Sequence, residues 1–467
     1  MIPAGFRGLL GALLVTAPVW VVGVARGQTL QEALAQAYAD NPTLQAARAQ
    51  LRSVDENVPQ ALAGWRPSVV LSGAGGYIDG RARALGSFGQ PVHSEVDRQT
   101  ANLAATVTQP LYNGGRTVSA TRRAENLVLA QRARLLATEQ QVLSDVVSAY
   151  VAVIRDQETL RLNENNVRVL QRQLDATNER FRVGEITRTD VAQAESRLSG
   201  AQAARANAEG TLQTSRATFR RVTGLSPERL VAPQPLTAAV RGAGAAAEMA
   251  MRNNPAVVAA LFDEAAARDA VDVQMAALLP TVSLQAQAFR TDNSQQPHSR
   301  VSGEQITANL SVPLYQGGAE HAAVRQARQD AVRLRQVVDD QRRAAMQQAT
   351  QAWETLQTAR AQVDSVRSQI RAAEIALDGV QREAVVGSRT TLDVLNAEQE
   401  LLNARVSLVQ ALSNVVTASY GLAGAVGRLT ARDLALPVAL YDMEAYYNAV
   451  RSKWFGTTNP LNDDQRW

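Results

Sequence analysis

Few residues of this 467-residue chain have a type and spacing that could support covalent chemistry. The sequence contains no cysteine, which excludes disulfides, thiolate metal sites and a cysteine nucleophile. Its three histidines, His93, His298 and His321, lack the spacing of metal ligands, and no nucleophile elbow or phosphate-binding loop is found. We therefore expect neither an enzyme nor a protein that holds a metal or another cofactor.

The charged pair with the most suggestive spacing is Arg389 and Asp393, four residues apart in a segment with a helical pattern. Two such side chains share one face of a helix, where an exposed pair contributes about 0.2–0.5 kcal/mol. The pair follows Val386-Gly387, and Val183-Gly184 stands at the corresponding point of an earlier segment. Because glycine tolerates positive φ, both dipeptides predict reversals of the chain.

These turns belong to an internal repeat that covers most of the chain. Pro110-Leu111-Tyr112-Asn113-Gly114-Gly115 returns as Pro313-Leu314-Tyr315-Gln316-Gly317-Gly318. Upstream, Asn41-Pro42 returns as Asn254-Pro255. Asparagine can cap a helix and proline can occupy its first position, so each Asn-Pro predicts a helix start. The repeat therefore predicts a tandem duplication of one structural unit.

The repeat also suggests domain boundaries. Residues 1–27 combine a positive charge, an apolar run and a small-x-small site, which predicts a cleaved secretory signal; a membrane-anchoring helix is the alternative. We expect the first repeat at 28–224, a linker at 225–242, the second repeat at 243–427 and a C-terminal segment at 428–467. The sequence does not decide whether that last segment forms a belt around the helices or is partly disordered.

Each repeat contains two strand-like segments around a polar loop, at about 67–112 and 280–315. Apolar and polar residues alternate in them, as in Val282-Ser283-Leu284-Gln285-Ala286-Gln287-Ala288. This period and length fit a membrane strand, although an ordinary half-buried hairpin shows the same alternation. The predicted signal, the lack of cysteine and the long helices that follow favour the membrane strand. We expect no later stretch to cross a membrane as a helix.

A period of seven begins after each Gly-Gly and runs from Val146 to Phe181 in the first repeat and from Ala349 to Ala384 in the second. Heptads sustained over this distance predict coiled coil. The outgoing helix of the first repeat should extend from about Arg116 to Arg182, since no proline or glycine lies between them, and reach about 100 Å at ~1.5 Å per residue. The returning helix and the helix before the strands are shorter, so we expect them to stack end to end beside it.

The predicted fold class is mainly α with membrane strands: long coiled-coil hairpins and four strands per chain. Four strands cannot close a barrel and an open edge cannot lie in lipid, so the barrel must be shared between chains. Two copies would give eight strands filled by side chains, and three would give twelve with an aqueous lumen. A net charge of +4, without a binding motif, gives no reason to expect nucleic acid.

Three features together resemble the TolC-type outer-membrane efflux family: the Asn-Pro helix starts, the Pro-Leu-Tyr-x-Gly-Gly junctions, and the segment 386–397. That segment is the most specific, because no packing rule requires its sequence. The resemblance implies a homotrimer in the outer membrane of a Gram-negative bacterium, with a twelve-stranded barrel in lipid and a twelve-helix tunnel in the periplasm. It also implies a periplasmic adaptor and an inner-membrane ABC or proton-driven transporter as partners.

The resemblance assigns a periplasmic gate to the turns. Arg389 would bond to Thr189 and Asp190 and hold the entrance shut. Asp393 would form a ring of three carboxylates, which concentrates cations and binds di- or trivalent ions at a constriction.

The same resemblance implies that the tips Val183-Gly184-Glu185 and Val386-Gly387-Ser388 meet the adaptor. Two positions depart from the family pattern. Asn396 stands where a second aspartate is common, so we expect one acidic ring. Ala384 replaces an aromatic latch residue, which predicts either a more weakly latched entrance or a different contribution from Arg182 and Arg188.

The expected function is a passive exit duct that exports small molecules such as drugs, or secreted proteins. It would change no bond in its cargo and bind no nucleotide, and the inner-membrane partner would supply the energy. A periplasmic coiled-coil adaptor or scaffold without a pore is the alternative, and the alternating strands argue against it. Drug efflux and type I secretion both stay open, because the pump selects the cargo.

Overall fold

The computed structural model of this protein describes residues 28–85, 87–238, 240–294 and 298–458. The predicted secretory signal, residues 1–27, lies outside the described residues. Helices dominate the described part of the chain, and four strands form one antiparallel sheet. The predicted fold class, mainly α with four strands per chain, is confirmed.

Both halves of the chain have the same order of elements. The elements of the first half are α1 (Leu30–Asp40), α2 (Pro42–Asp55), α3 (Asn57–Leu62), β1 (Ser68–Leu85), β2 (Pro91–Asn113), α4 (Arg116–Arg182) and α5 (Arg188–Thr223). The elements of the second half are α6 (Ala243–Asn253), α7 (Pro255–Met275), β3 (Thr281–Asp292), β4 (Arg300–Ser311), α8 (Ala319–Val385) and α9 (Thr391–Ala425). A short helix, α10 (Ala445–Val450), follows in the C-terminal segment.

The four strands pair in the order β1-β2-β3-β4. Their register places Val107 of β2 between Val69 of β1 and Ala286 of β3, and Ala286 opposite Ile306 of β4. Residues directly opposite one another share a face of the sheet, because side chains alternate along a strand. The predicted alternation is confirmed, since all four strands direct apolar residues to one face.

The opposite face of the sheet carries rows of polar side chains. Thr106, Gln287 and Gln305 form one row across three strands, and Gln305 Nε2 donates to Gln287 Oε1 at 2.6 Å. In a neighbouring row, Asn309 Nδ2 donates to Gln285 Oε1 at 3.4 Å. The sheet thus has one face suited to lipid and one suited to water.

The helices α4 and α8 are each 67 residues long, and the predicted bounds of the first, Arg116 to Arg182, are confirmed. Their heptad residues are best packed near the middle, where Val146, Val153 and Leu356 are fully buried. Contrary to expectation, α9 is long and apolar enough to cross a membrane by length and composition. It packs instead along α8, as the second helix of a coiled coil.

Each long helix lies beside two shorter helices that meet end to end at an Asn-Pro. Asn41 Oδ1 accepts hydrogen bonds from the N–H groups of Thr43 and Leu44 and so caps α2. The Nδ2 of the same side chain donates to Val222 O, in the last turn of α5, at 2.9 Å. One buried amide therefore joins the start of one helix to the end of another.

The second repeat contains the same joint. Asn254 Oδ1 accepts from the Ala256 N–H, and Asn254 Nδ2 donates to Ala425 O at the end of α9. The chain turns away there at Gly427, with φ +80°, where a Cβ atom would lie 2.4 Å from Asn253 O. The predicted end-to-end stacking is confirmed in both repeats.

The described part of the C-terminal segment packs against the first repeat, and we call it the belt; its passage around a tunnel stays a prediction. Leu429 and Leu436 are buried in the core around the middle of α4. Arg132 pairs with Glu444 at 3.1 Å, and Tyr446 Oη donates to Glu56 at 2.8 Å. Residues 459–467 lie outside the described residues.

Asp55 lies under this belt at the end of α2. Its side chain is 1% exposed, and neither carboxylate oxygen has a hydrogen-bond donor among the described residues. Burial raises the pKa of Asp55 to about 6, although Arg132 opposes the shift. The ionised form is therefore disfavoured in the folded protein.

We expect Asp55→Asn to stabilise the protein at neutral pH. A raised pKa contributes stability below the ordinary value of 3.8, and that contribution is lost as the pH rises to about 6. The amide should recover about 1–3 kcal/mol at pH 7.5 and almost nothing at pH 4. Thermal unfolding followed by circular dichroism tests this; an equal gain at both pH values would contradict the assignment.

We expect Asn41→Asp to destabilise the protein by about 1–3 kcal/mol. Aspartate keeps the capping acceptor but loses the donor to Val222 O, and it places a negative charge at the C-terminal end of α5. Urea unfolding measures the loss. Asn207→Asp, at an exposed position of α5, controls for the charge change and should cost much less.

Candidate functional site at the helical tips

The two helical tips are turns of the same geometry. In the first, Gly184 has φ +78°. Its N–H donates to Phe181 O, and the Glu185 N–H donates to Arg180 O, both at 2.9 Å. These two bonds form a Schellman motif, which requires a left-handed residue where glycine stands.

The second tip repeats this motif. Gly387 has φ +81°, its N–H donates to Ala384 O at 3.2 Å, and the Ser388 N–H donates to Glu383 O at 3.0 Å. Both Val-Gly dipeptides therefore reverse the chain, and both present exposed backbone and side chains at the end of a coiled coil.

One ion pair spans each turn. In the first tip the arginine precedes the glycine and the glutamate follows it, and in the second tip this order is reversed. Arg180 contacts both carboxylate oxygens of Glu185, at 3.0 and 3.1 Å. In the second tip Arg389 Nε donates to Glu383 Oε2 at 2.8 Å. Exposed pairs of this kind add little stability, so the backbone hydrogen bonds of the Schellman motif are what define each turn.

A capping box starts the returning helix of each repeat. Asp190 Oδ2 accepts from the Thr187 N–H at 2.9 Å, and Asp393 Oδ2 accepts from the Thr390 N–H at 3.0 Å. Hydrogen bonds from Thr187 hold the pKa of Asp190 below its usual range. Those from Thr390, with Arg389 nearby, do the same for the pKa of Asp393. Both tips thus carry ionised carboxylates at neutral pH.

The prediction that Arg389 and Asp393 share one face of a helix is wrong. Thr390 is the N-cap of α9, so Arg389 lies before the helix and not on its face. Asp393 bonds to the cap, and Arg389 pairs with Glu383. A bond from Arg389 to Thr189 and Asp190 stays a prediction.

Asn396 connects the two repeats near the tips. Arg197 Nη2 of α5 donates to Asn396 Oδ1 of α9 at 2.8 Å. Beside this bond Leu395, 2% exposed, packs with Leu170 and Leu198 of the first repeat. The asparagine that departs from the family pattern therefore has a structural role, as an acceptor for an arginine.

Glu398 is a tip residue that the sequence did not reveal. Burial raises its pKa, while Arg172 of α4 and a hydrogen bond from Gln381 of α8 oppose the shift. Its Oε2 has no hydrogen-bond donor among the described residues. Only the meeting of three helices creates this environment, so no local signal could have indicated it.

The strand-helix junctions lie at the other end of the long helices. Their glycines all have positive φ: Gly114 +64°, Gly115 +81°, Gly317 +69° and Gly318 +84°. Pro110 stands at a register shift between β2 and β3, and Pro313 follows the end of β4. A Cβ atom on Gly114 would lie 2.6 Å from Ala276 O, whereas one on Gly317 meets nothing within 4 Å.

Amphipathic strands at one end and a duplicated coiled coil ending in exposed tips define a protomer of an outer-membrane export channel. A profile described as outer membrane efflux protein matches residues 33–225 and 246–428. The chain belongs to the outer membrane efflux protein family. Its location in the outer membrane and its role as an exit duct, for efflux or type I secretion, are confirmed.

Individual relatives agree with the family. The chain is 36% identical to the outer membrane efflux protein BepC of Brucella suis over 96% of both chains. It is 23% identical to the outer membrane protein TolC of Escherichia coli over 88% of this chain and 84% of TolC. The crystal structure of the outer membrane protein VceC of Vibrio cholerae shares the fold, with a TM-score of 0.73, 19% identity, and coverage of 85% and 96%.

Proposed function

We propose that three copies of this chain close into a ring that forms a continuous duct through the outer membrane and the periplasm. The observation that carries the proposal is a four-stranded sheet whose outer strands, β1 and β4, each have one unpaired edge. Backbone groups cannot stay unpaired in lipid, so the edges must meet between copies.

The internal repeat indicates how they meet. Within one chain β2 of the first repeat pairs with β3 of the second. Applying the same relation once more places β4 against β1 of the next copy. The junction glycines support this arrangement. Gly114 packs against Ala276, at the end of α7 of its own chain, while its repeat mate Gly317 faces open space, where the next copy would pack. A head-to-tail contact of this kind closes into a ring.

Three copies suit the polar face of the sheet. Eight strands would enclose only side chains, whereas twelve leave a lumen that the rows around Gln287 and Gln305 can line. Each chain adds two long helices and two end-to-end pairs, so three chains supply a wall of twelve helical rods. A homotrimer with a twelve-stranded barrel and a twelve-helix tunnel then agrees with the family resemblance. Lipid would surround the apolar face of the sheet.

The duct needs partners, because it carries no motif for binding nucleotide. A periplasmic adaptor contacting Val183-Gly184-Glu185 and Val386-Gly387-Ser388 would join it to an inner-membrane ABC or proton-driven transporter. The exposure of Val183 and Val386, 78% each, supports the tips as the contact surface. The duct itself changes no bond in its cargo, and the transporter selects drugs or secreted proteins.

The entrance of the duct would lie at the tips. The ionised Asp393 carboxylates of three copies would form an acidic ring that favours cations. Arg389, held in its own chain by one exposed pair with Glu383, can exchange that partner for Thr189 and Asp190. Such an exchange would latch the entrance without an aromatic residue at Ala384.

We expect a disulfide between copies that carry Ser72→Cys and Ser311→Cys. Thr108 of β2 lies opposite Gln285 of β3 within one chain. In the repeat, Ser311 of β4 corresponds to Thr108 and Ser72 of β1 corresponds to Gln285. Ser311 of one copy should therefore lie opposite Ser72 of the next. The chain has no native cysteine, so oxidation in membranes should give covalent trimers on a denaturing gel.

The matched control for this disulfide is Ser72→Cys with Leu310→Cys, which places the second thiol on the opposite face and should not form trimers. Covalent species above the trimer, or efficient cross-linking in the control, would contradict the proposed ring.

We expect Asp393→Asn to weaken block of the channel by a trivalent cation from the periplasmic side. The amide removes the charge but keeps an oxygen that can cap α9. Single-channel recording in planar bilayers measures the block. Asp40→Asn removes the same charge at the exposed end of α1, away from the tips, and should leave the block intact; unchanged block in Asp393→Asn would place the acidic constriction elsewhere.

A further inference from the structure

The end of the described chain exposes large aromatic side chains. Trp454 is 65% and Phe455 is 89% exposed, and Trp65, just before β1, is 37% exposed. Soluble surfaces rarely leave aromatic residues this open in a group. We call Trp65, Trp454 and Phe455 the aromatic patch.

Arg66 holds the patch at the foot of the sheet. Its Nη1 donates to Lys453 O at 2.7 Å, and its guanidinium lies 5.1 Å from the centre of the Trp454 ring. Gln109 Nε2 of β2 donates to Trp65 O at 2.9 Å. Because β1 begins at Ser68, the patch is fixed within a few residues of the membrane strands.

The belt that ends in this patch must lie on the outside of the duct. The N-terminal residues, the linker and the C-terminal segment all pack on the same side of α1 and α4: Gln28 bridges to Leu230, and Leu429 and Leu436 join the same core. Three copies of these segments inside the tunnel would fill it. The aromatic patch therefore faces the region outside the barrel, where the lipid-facing side of β1 starts with Val69.

We propose that the aromatic patch docks on the periplasmic leaflet of the outer membrane and fixes the belt to it. The inference rests on the proposed function, since it requires that the strands cross that membrane. Tryptophan and phenylalanine prefer the zone between headgroups and acyl chains. Arg66 lies over Trp454, and Arg451 and Lys453 precede Trp454 in the chain, so cations that suit the phosphates of phospholipids accompany the patch. The occupant is thus a phospholipid headgroup layer, and not a protein.

This contact gives the C-terminal segment a mechanical role. The segment bonds to α4 through Arg451 and Glu125, at 2.9 Å, and lies over Asp55 at the end of α2. A leaflet contact at Trp454 would set the height of the helical tunnel relative to the membrane, and forces on the tunnel would reach the lipid through the belt as well as through the strands.

The test is fluorescence quenching by brominated lipids in vesicles of phosphatidylethanolamine and phosphatidylglycerol. Variants of the mature chain keep Trp454 alone, with Trp65, Trp353 and Trp467 replaced by Phe. A second set keeps only Trp353, in α8 far from the strands, and a third carries only Leu71→Trp on the apolar face of β1. Bromine is placed near the headgroup or near the chain end.

Trp454 should be quenched several-fold more by bromine near the headgroup than by bromine near the chain end, and Trp353 by neither. Arg66→Ala in the Trp454 protein should reduce that quenching, because it releases Lys453 and the indole ring. If Leu71→Trp is quenched but Trp454 is not, the strands lie in the membrane and the docking proposal fails. If neither is quenched, the proposed duct fails with it.

Discussion

The rest of the structure depends on one requirement: every backbone N–H and C=O group inside a membrane must have a hydrogen-bond partner. A single chain does not meet it, because its sheet ends in two open edges at β1 and β4. In the proposed ring the duplication offers the remedy, since the pairing of β2 with β3 inside one chain would be the template for pairing between chains. The same contact, repeated, would close the ring without a second kind of strand pairing.

The helices meet a related requirement, which is continuity. Two short helices must stack end to end and act as one rod beside a helix of 67 residues. Serine or aspartate would cap α2 as well as Asn41 does. Unlike a carboxylate, the amide also donates to a last carbonyl of the helix that is stacked end to end with it, as Asn41 does to Val222 and Asn254 to Ala425. The Asn-Pro motif is therefore a helix joint as much as a helix start.

Features that depend on local rules could be predicted from the sequence. Alternation placed Val282, Leu284 and Ala286 on one face, heptads predicted the coiled coil, and glycines marked the turns that bound α4. The pairing of Arg389 with Asp393 was wrong, because the capping box at Thr390 binds the aspartate and begins α9 at Thr391, which leaves Arg389 outside the helix. Capping and helical pairing use the same residue types, so spacing alone did not separate them.

Features that depend on which surfaces meet could not be predicted. Asp55 is buried where α2 packs against α4 and α10, and Asn396 meets Arg197 where two coiled coils converge. The extent of apolar packing also differs along the long helices. Many large side chains are fully buried around the middle of α4, whereas four buried residues hold the repeats together near the tips. Local stability follows such packing, so the tips should open locally more easily than the middle of the long helices. In the proposed duct, opening at the tips would break a few polar contacts and would leave the backbone pairing of the strands intact.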